Sequence, residues 1–236
     1  MKAPDFSIAR FFSTSTGKKF LMAASGAALF GFVIGHLVGN LQIFLGQEAI
    51  NRYALFLKST GELLWAARIG LLVMIGLHIW TSVQLTAENA AARPVAYTGK
   101  NYIKASTASR TMIWSGLVIL VFIIYHLMHY TFMVVHPEYR NLLDARGRHD
   151  VYSMMILGFQ QPAISAFYIA AIFLLCSHLS HGIYSMFQSL GLQNQKARAL
   201  LTTWAPRLAW LIFAGYASMP IGVLLGLVKL PAGVTP

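Results

Sequence analysis

The sequence predicts an all-α integral membrane protein of five transmembrane helices, the first four forming a four-helix bundle. Of 236 residues, 57% are hydrophobic and only 11% charged, and the mean hydropathy is +0.61; a soluble domain is neither so apolar nor so poor in charge. The apolar residues fall into five blocks, about 20–45, 63–85, 112–135, 163–187 and 208–228. Each has the roughly 20 residues that a helix needs to cross a ~30 Å hydrocarbon core. No ten-residue alternation of the kind that builds an outer-membrane barrel is present. Residues 1–236 therefore read as a single transmembrane domain.

In chain order, 1–19 is polar and hydroxyl-rich around Phe11 and Phe12 and reads as an interfacial approach. The apolar block after it is too long for a signal peptide. The first span carries Gly31, Gly35 and Gly39 at four-residue spacing, which lets another backbone or a flat ring come close. His36, Asn40 and Gln42 make the same span too polar to face lipid all round. Residues 46–62 mix charge with Tyr53 and Phe56 and predict a short interfacial helix. The second span has Arg68 near its start, either snorkelling to headgroups or pairing with a buried anion, and His78 late in its length. The third holds Tyr125, His126, His129 and Tyr130. The loop 136–160 ends in VYSMMILGF, an apolar stretch expected to re-enter the interface. The fourth span follows Pro162, a favourable first-turn residue, and carries His178 and His181. The fifth has Pro220 and no histidine, as a packing helix would.

The net charge of +11 is topogenic rather than a sign of nucleic acid. Eleven Lys and Arg lie in the N-terminal segment, the 86–111 loop and the 188–207 loop, among them Lys18, Lys19, Arg93, Lys100, Lys104, Arg110, Lys196 and Arg198; the other side has seven, diluted by five of the seven acids. The bias places the N-terminus in the cytoplasm of a multi-pass protein. The single cysteine, Cys176, excludes a disulfide framework, so a redox metal would be held by histidine. No nucleotide-binding or hydrolase motif is present.

A polar side chain in mid-membrane costs at least about 2.5 kcal/mol, and histidine offsets it by core hydrogen bonding, proton relay or metal coordination. Counted from the side where each helix starts, His36, His78, His126 and His178 are sixteen, fifteen, fourteen and fifteen residues in, or roughly 21 to 24 Å. Because successive helices alternate in direction, His36 and His126 share an outer level. His78 and His178 share an inner one, about 14 Å away on the same rise per residue. Two histidine pairs at two depths are what a di-haem four-helix bundle needs: two haems b, the outer iron held by His36 and His126, the inner by His78 and His178. Spacing also admits His129 in place of His126 and His181 in place of His178. As second histidines they suit hydrogen bonds to haem propionates or a quinone carbonyl, or structural hydrogen bonding.

At these residues the chain resembles the cytochrome b membrane-anchor subunits of succinate dehydrogenases and fumarate reductases, in the single-chain, five-helix, two-haem form. The likeness is carried by GHLVGNLQ, LHIWTSVQLTAENAAARPVAY, YHLMHY and SHLSHGIYSMFQSLGL. It implies His36, His78, His126 and His178 as axial ligands, with Gly182 and Tyr184 completing the fourth-helix motif. It also implies a flavoprotein and an iron–sulfur subunit on the cytoplasmic side of a bacterial inner membrane, with menaquinone or ubiquinone as substrate. Arg68, His129 and His181 are candidate propionate contacts, and Glu62, His129 and His181 candidates for the quinone site. Some relatives that couple menaquinone chemistry to transmembrane proton movement have a glutamate two residues before the fourth-helix ligand, where this chain has Cys176. The competing reading is a haem-free transporter or proton-relay protein.

Overall fold

The computed structural model describes residues 8–92 and 106–233. Among them are nine α-helices and no strand: α1 (Ile8–Ser13), α2 (Ser15–Asn40), α3 (Gln47–Ser59), α4 (Glu62–Ala91), α5 (Thr107–Arg110), α6 (Met112–His126), α7 (Val151–Phe159), α8 (Pro162–Ser189) and α9 (Gln195–Leu224). Five are long and apolar enough to cross a membrane: α2, α4, α6, α8 and α9, with α2 and α6 extended by a 3₁₀ turn at Leu41–Leu45 and a π-helical turn at Leu127–Thr131. The protein is an all-α integral membrane protein. Residues 93–105, which hold Arg93, Lys100, Lys104 and much of the expected basic loop, lie outside the described residues.

Several boundaries move from those the apolar blocks suggest, and polar helix ends are the reason. Thr14 caps α2 by accepting from the Gly17 N–H, so the first helix starts at Ser15 rather than about 20. Asn194 accepts from the Ala197 N–H at 2.8 Å and starts α9 well before 208. The lead-in carries Lys196, Arg198 and Pro206, which hydropathy alone discounts. A π-turn cannot propagate, and Met133 follows it at φ 49°, so the third helix stops before 135.

α8 lies at the centre of the fold, packed against α2, α6, α7 and α9, while α4 rests chiefly on α2. Neither α2 and α6 nor α4 and α8 make more than marginal backbone contact. With α2–α4, α2–α8 and α6–α8 as the packed sides, these two pairs are the diagonals of a four-helix bundle whose fourth side, α4–α6, makes no more than marginal contact. α8 and α9 pack on each other, and their buried residues include Ala171, Ala209, Ile212 and Tyr216. The outward face of α4, with Leu63, Trp65, Leu72 and Val83, is exposed, as a lipid-facing helix in water-free surroundings allows.

A cap closes one end of the bundle. Asn51 of α3 donates to Asp150 Oδ1 at 2.9 Å and Asp144 Oδ2 at 3.2 Å and accepts from the Tyr152 N–H. Gln47 donates to Asp150 Oδ2, and Arg148 bridges Asp144 and Glu48. These charge-assisted bonds let two carboxylates be buried. They also pull VYSMMILGF inward: it forms α7, buried from Tyr152 to Phe159, so the expected interfacial stretch is a core element under the cap.

Candidate functional site: two imidazole pairs between diagonal helices

The diagonals are bridged by histidine. The His36 and His126 ring centres are 5.8 Å apart, joining α2 to α6, and those of His78 and His178 are 6.4 Å apart, joining α4 to α8. Contacts along α2 and α6 give the separation of the two levels. His78 lies against Gly26, ten residues before His36, and His178 against Gly116, ten before His126. Ten residues of helix span about 15 Å.

Each imidazole of the His78–His178 pair is received by a Ser-Gly pair on a neighbouring helix. A Cβ at Gly26 would stand 3.3 Å from His78 Cε1 and one at Gly116 3.7 Å from His178 Cε1, so glycine makes room for the ring at the first site. The adjoining serines meet Nδ1: Ser25 Oγ is 3.4 Å from that of His78 and Ser115 Oγ 3.0 Å from that of His178. His78 Nδ1 also lies 3.2 Å from the Met22 carbonyl, which can only accept, so Nδ1 carries the proton. Ser115 gives its own proton to the Met112 carbonyl and accepts from His178 Nδ1. Both rings thus keep Nε2 as a lone pair, the arrangement that orients a metal-ligating histidine. In both α2 and α6 this serine precedes the helix's own paired histidine, His36 or His126, by eleven residues, three turns, which puts both on one helix face.

At the His36–His126 level Tyr168 Oη lies 3.4 Å from His126 Nδ1 and 3.0 Å from His129 Nδ1. His36 stacks on Phe32 at 5.2 Å and neighbours Tyr216 of α9, whose hydroxyl donates to the Val33 carbonyl at 2.7 Å. The fifth helix therefore supports a site histidine besides packing.

The arrangement fits haem. Two imidazoles bound to opposite faces of one metal, at about 2 Å per bond, hold their ring centres roughly 6 Å apart. Among the described residues no hydrogen bond engages Nε2 of His36, His78, His126 or His178, and none of these atoms is sealed from solvent-sized space, unlike the enclosed His129 Nε2. A Cβ at Gly31, Gly35 or Gly182 would meet nothing within 4 Å. Of the first-helix glycine stripe, only Gly39 meets a close neighbour, the Tyr53 ring. No cluster of three metal-binding side chains occurs among the described residues, and a haem iron needs two.

The remaining candidates separate. His129 is fully buried and its Nε2 has no hydrogen-bond partner among the described residues. His181 is half-buried one turn beyond His178, toward the end of α8. Arg68 is exposed with its guanidinium over the Trp65 ring at 5.1 Å. Glu62 is exposed in the first turn of α4. Sequence reasoning missed Tyr168, Ser25 and Ser115; the repeated Ser-Gly at a fixed distance before a histidine was the available signal for the serines.

A family model described as the succinate dehydrogenase/fumarate reductase transmembrane subunit matches residues 89–214, just over half of the chain. The matched stretch includes His126, His129, His178 and His181, while His36 and His78 precede it. No curated protein and no solved structure gave a significant match. With a matching family model over most of α6 to α9 and five membrane-length helices, this chain belongs to the transmembrane subunits of the succinate dehydrogenase/fumarate reductase family.

Proposed function

We propose that the chain is the electron-carrying anchor of a succinate:quinone oxidoreductase, holding two haems b. His36 and His126 grip the outer one, and His78 and His178 the inner. The observation that carries this is the bridging of both bundle diagonals by imidazole pairs about 15 Å apart along the helices. Bound there, haem would supply one-electron redox chemistry, matching a one-electron iron–sulfur donor to two-electron quinone.

The protein's own part is to hold and insulate. Met22 and Ser115 keep the inner Nδ1 atoms protonated and so leave Nε2 for iron. The apolar side chains of the spans surround both pairs, and a hydrophobic shell of this kind controls solvent access and dielectric at a redox centre. The flavoprotein and iron–sulfur subunits bind at the cytoplasmic face, where the basic loops gather; the quinone is menaquinone or ubiquinone, taken from the bilayer. The membrane is the bacterial cytoplasmic membrane, with the N-terminus inside.

The test is a dithionite-reduced minus oxidised spectrum of the purified chain with a pyridine haemochrome count. Two haems b per chain are expected. Absence of a b-type α-band would remove the proposal in favour of a haem-free relay.

A further inference from the structure

The segment WAPR at 204–207 sets a cation near the mouth of an apolar groove. Arg207 is the last charged residue of α9 before its apolar block, and no other follows until Lys229. Its guanidinium lies over the Trp204 ring at 5.1 Å, turned back toward the helix start and so toward the membrane surface. Both side chains are exposed, and no carboxylate pairs with Arg207 among the described residues. Lys196 and Arg198, exposed in the first turn of the same helix, add positive charge about 15 Å nearer the aqueous phase.

One turn deeper, Trp210 joins an aromatic wall. Its ring centre is 5.3 Å from that of Phe173 on α8 and 5.7 Å from that of Phe213, and the two phenylalanine rings are 6.0 Å apart. The wall opens into a groove of about 650 Å³ lined by Ala166, Ile169, Ala170, Phe173, Leu174 and Phe213. Ala166 and Ala170 are exposed, and their short side chains give the groove its depth. Because α8 and α9 are successive spans running in opposite directions, the path from Arg207 to Phe213 continues from Phe173 to Ala166. Six residues of α9 and seven of α8 make about 20 Å, enough to cross one leaflet of a ~30 Å core.

We infer that this groove holds an anionic phospholipid, with its phosphate on Arg207 and one acyl chain laid along α8 and α9. Charge decides the occupant. A guanidinium with no acid beside it, at the membrane surface, is matched by a phosphate that accepts from its fork of N–H donors. The apolar lining below gives an acyl chain close packing and offers a polar group no partner. Trp204 and Trp210 flank the guanidinium along the helix, as indole rings do at the headgroup boundary. A second copy of the chain, related by a two-fold axis along the membrane normal, would bring its own Arg207 to the same level, like charge beside like. The site rests on α8 and α9 being membrane spans and is independent of haem and quinone. The W-A-x-R spacing recurs as Trp65 to Arg68 at the start of α4, again with the guanidinium over the ring at 5.1 Å. That second pair supplies a control: it has the cation and the indole without this groove.

The test is native mass spectrometry of the intact membrane complex, delipidated in mild detergent. It is titrated with palmitoyl-oleoyl phosphatidylglycerol, with phosphatidylcholine of the same chains, and with glycerophosphoglycerol, the headgroup without chains. Phosphatidylglycerol should bind more tightly than phosphatidylcholine, and the chainless headgroup should not compete. Arg207→Gln is expected to weaken phosphatidylglycerol about fivefold, the effect of one basic side chain at an anionic surface, and to leave phosphatidylcholine unchanged. Ala170→Phe, which fills the groove from its open side, should weaken both lipids, and Arg68→Gln neither. All three positions are exposed, so no change enters the core. Equal affinity for the two lipids would overturn the site, as would wild-type binding in Arg207→Gln or Ala170→Phe, or an equal loss in Arg68→Gln. Competition by the chainless headgroup at the lipid's own concentration would reduce it to an anion contact. A lipid-free doubling of mass that Ala170→Phe abolishes would give the groove to a second copy and end the proposal.

Discussion

Ser115 and the Met22 carbonyl show how a single polar partner decides what a histidine can do. An imidazole in hydrocarbon is ambiguous until its tautomer is set, and here a carbonyl and a hydroxyl set it from neighbouring helices. Ser115→Ala is therefore expected to weaken haem retention at the inner level by about tenfold, the lower end of the effect of losing an outer-shell partner, read by haemochrome content after detergent washing. The ligand pairs make a sharper test. His78→Ala and His178→Ala should each abolish the same spectral haem and leave the other, with His36→Ala and His126→Ala giving the complement; loss of different haems within one pair would refute the pairing. The levels were legible from residue counting, because helix rise is constant. Tyr168 was not, since nothing in a linear apolar block says which aromatic hydroxyl will turn toward a histidine forty-two residues away.

At the scale of the element, the cap is held by ionised groups and should answer to pH and truncation. Asn51→Ala would strip hydrogen bonds from two buried carboxylates and is expected to lower stability by about 1–3 kcal/mol, read as a fall in the thermal unfolding midpoint. Burial pushes the Asp144 carboxyl up, but hydrogen bonds from Arg148, Asn51 and the Arg146 N–H outweigh it and hold it below the ordinary 3.8. Its stabilisation is thus complete above 3.8 and lost as pH falls through the lowered value. Burial, then the Lys58 charge, pushes His149 below its ordinary 6.5. The neutral ring is the one the fold favours, so this contribution is complete above 6.5 and fades as pH falls toward the lowered folded value. Amide exchange in α3 and α7 should accelerate in these two acid steps; exchange independent of pH-linked opening would contradict the account. The apolar sequence of α7 indicated burial but not in what medium, and the long-range bonds of Asp150 chose protein over interface.

Across the whole molecule, α4 is held chiefly by one neighbouring span. It rests chiefly on α2, with Lys18 and Ser15 holding Glu88 at one end and His78 reaching Met22 and Ser25 further along. Chain produced without haem should therefore show faster amide exchange in α4 than in α8 or α9, and haem addition should slow it selectively. Orientation has its own test. Phosphatase fused at the C-terminus should be active only if that end is outside, and the same fusion at the 188–207 connection should be silent.

Composition and the period of apolar blocks were enough to establish a five-helix membrane protein, because the energetic cost of unsatisfied backbone in hydrocarbon leaves helices as the solution for such blocks. Equal helix depths were enough to suggest which histidines share a level. Only the tertiary structure decided which helices lie diagonally, which hydroxyls face the rings, and that His129 is enclosed while four other imidazoles open into space. Those outcomes depend on contacts between residues far apart in the chain, and hydropathy, which sums along the chain, carries no information about them.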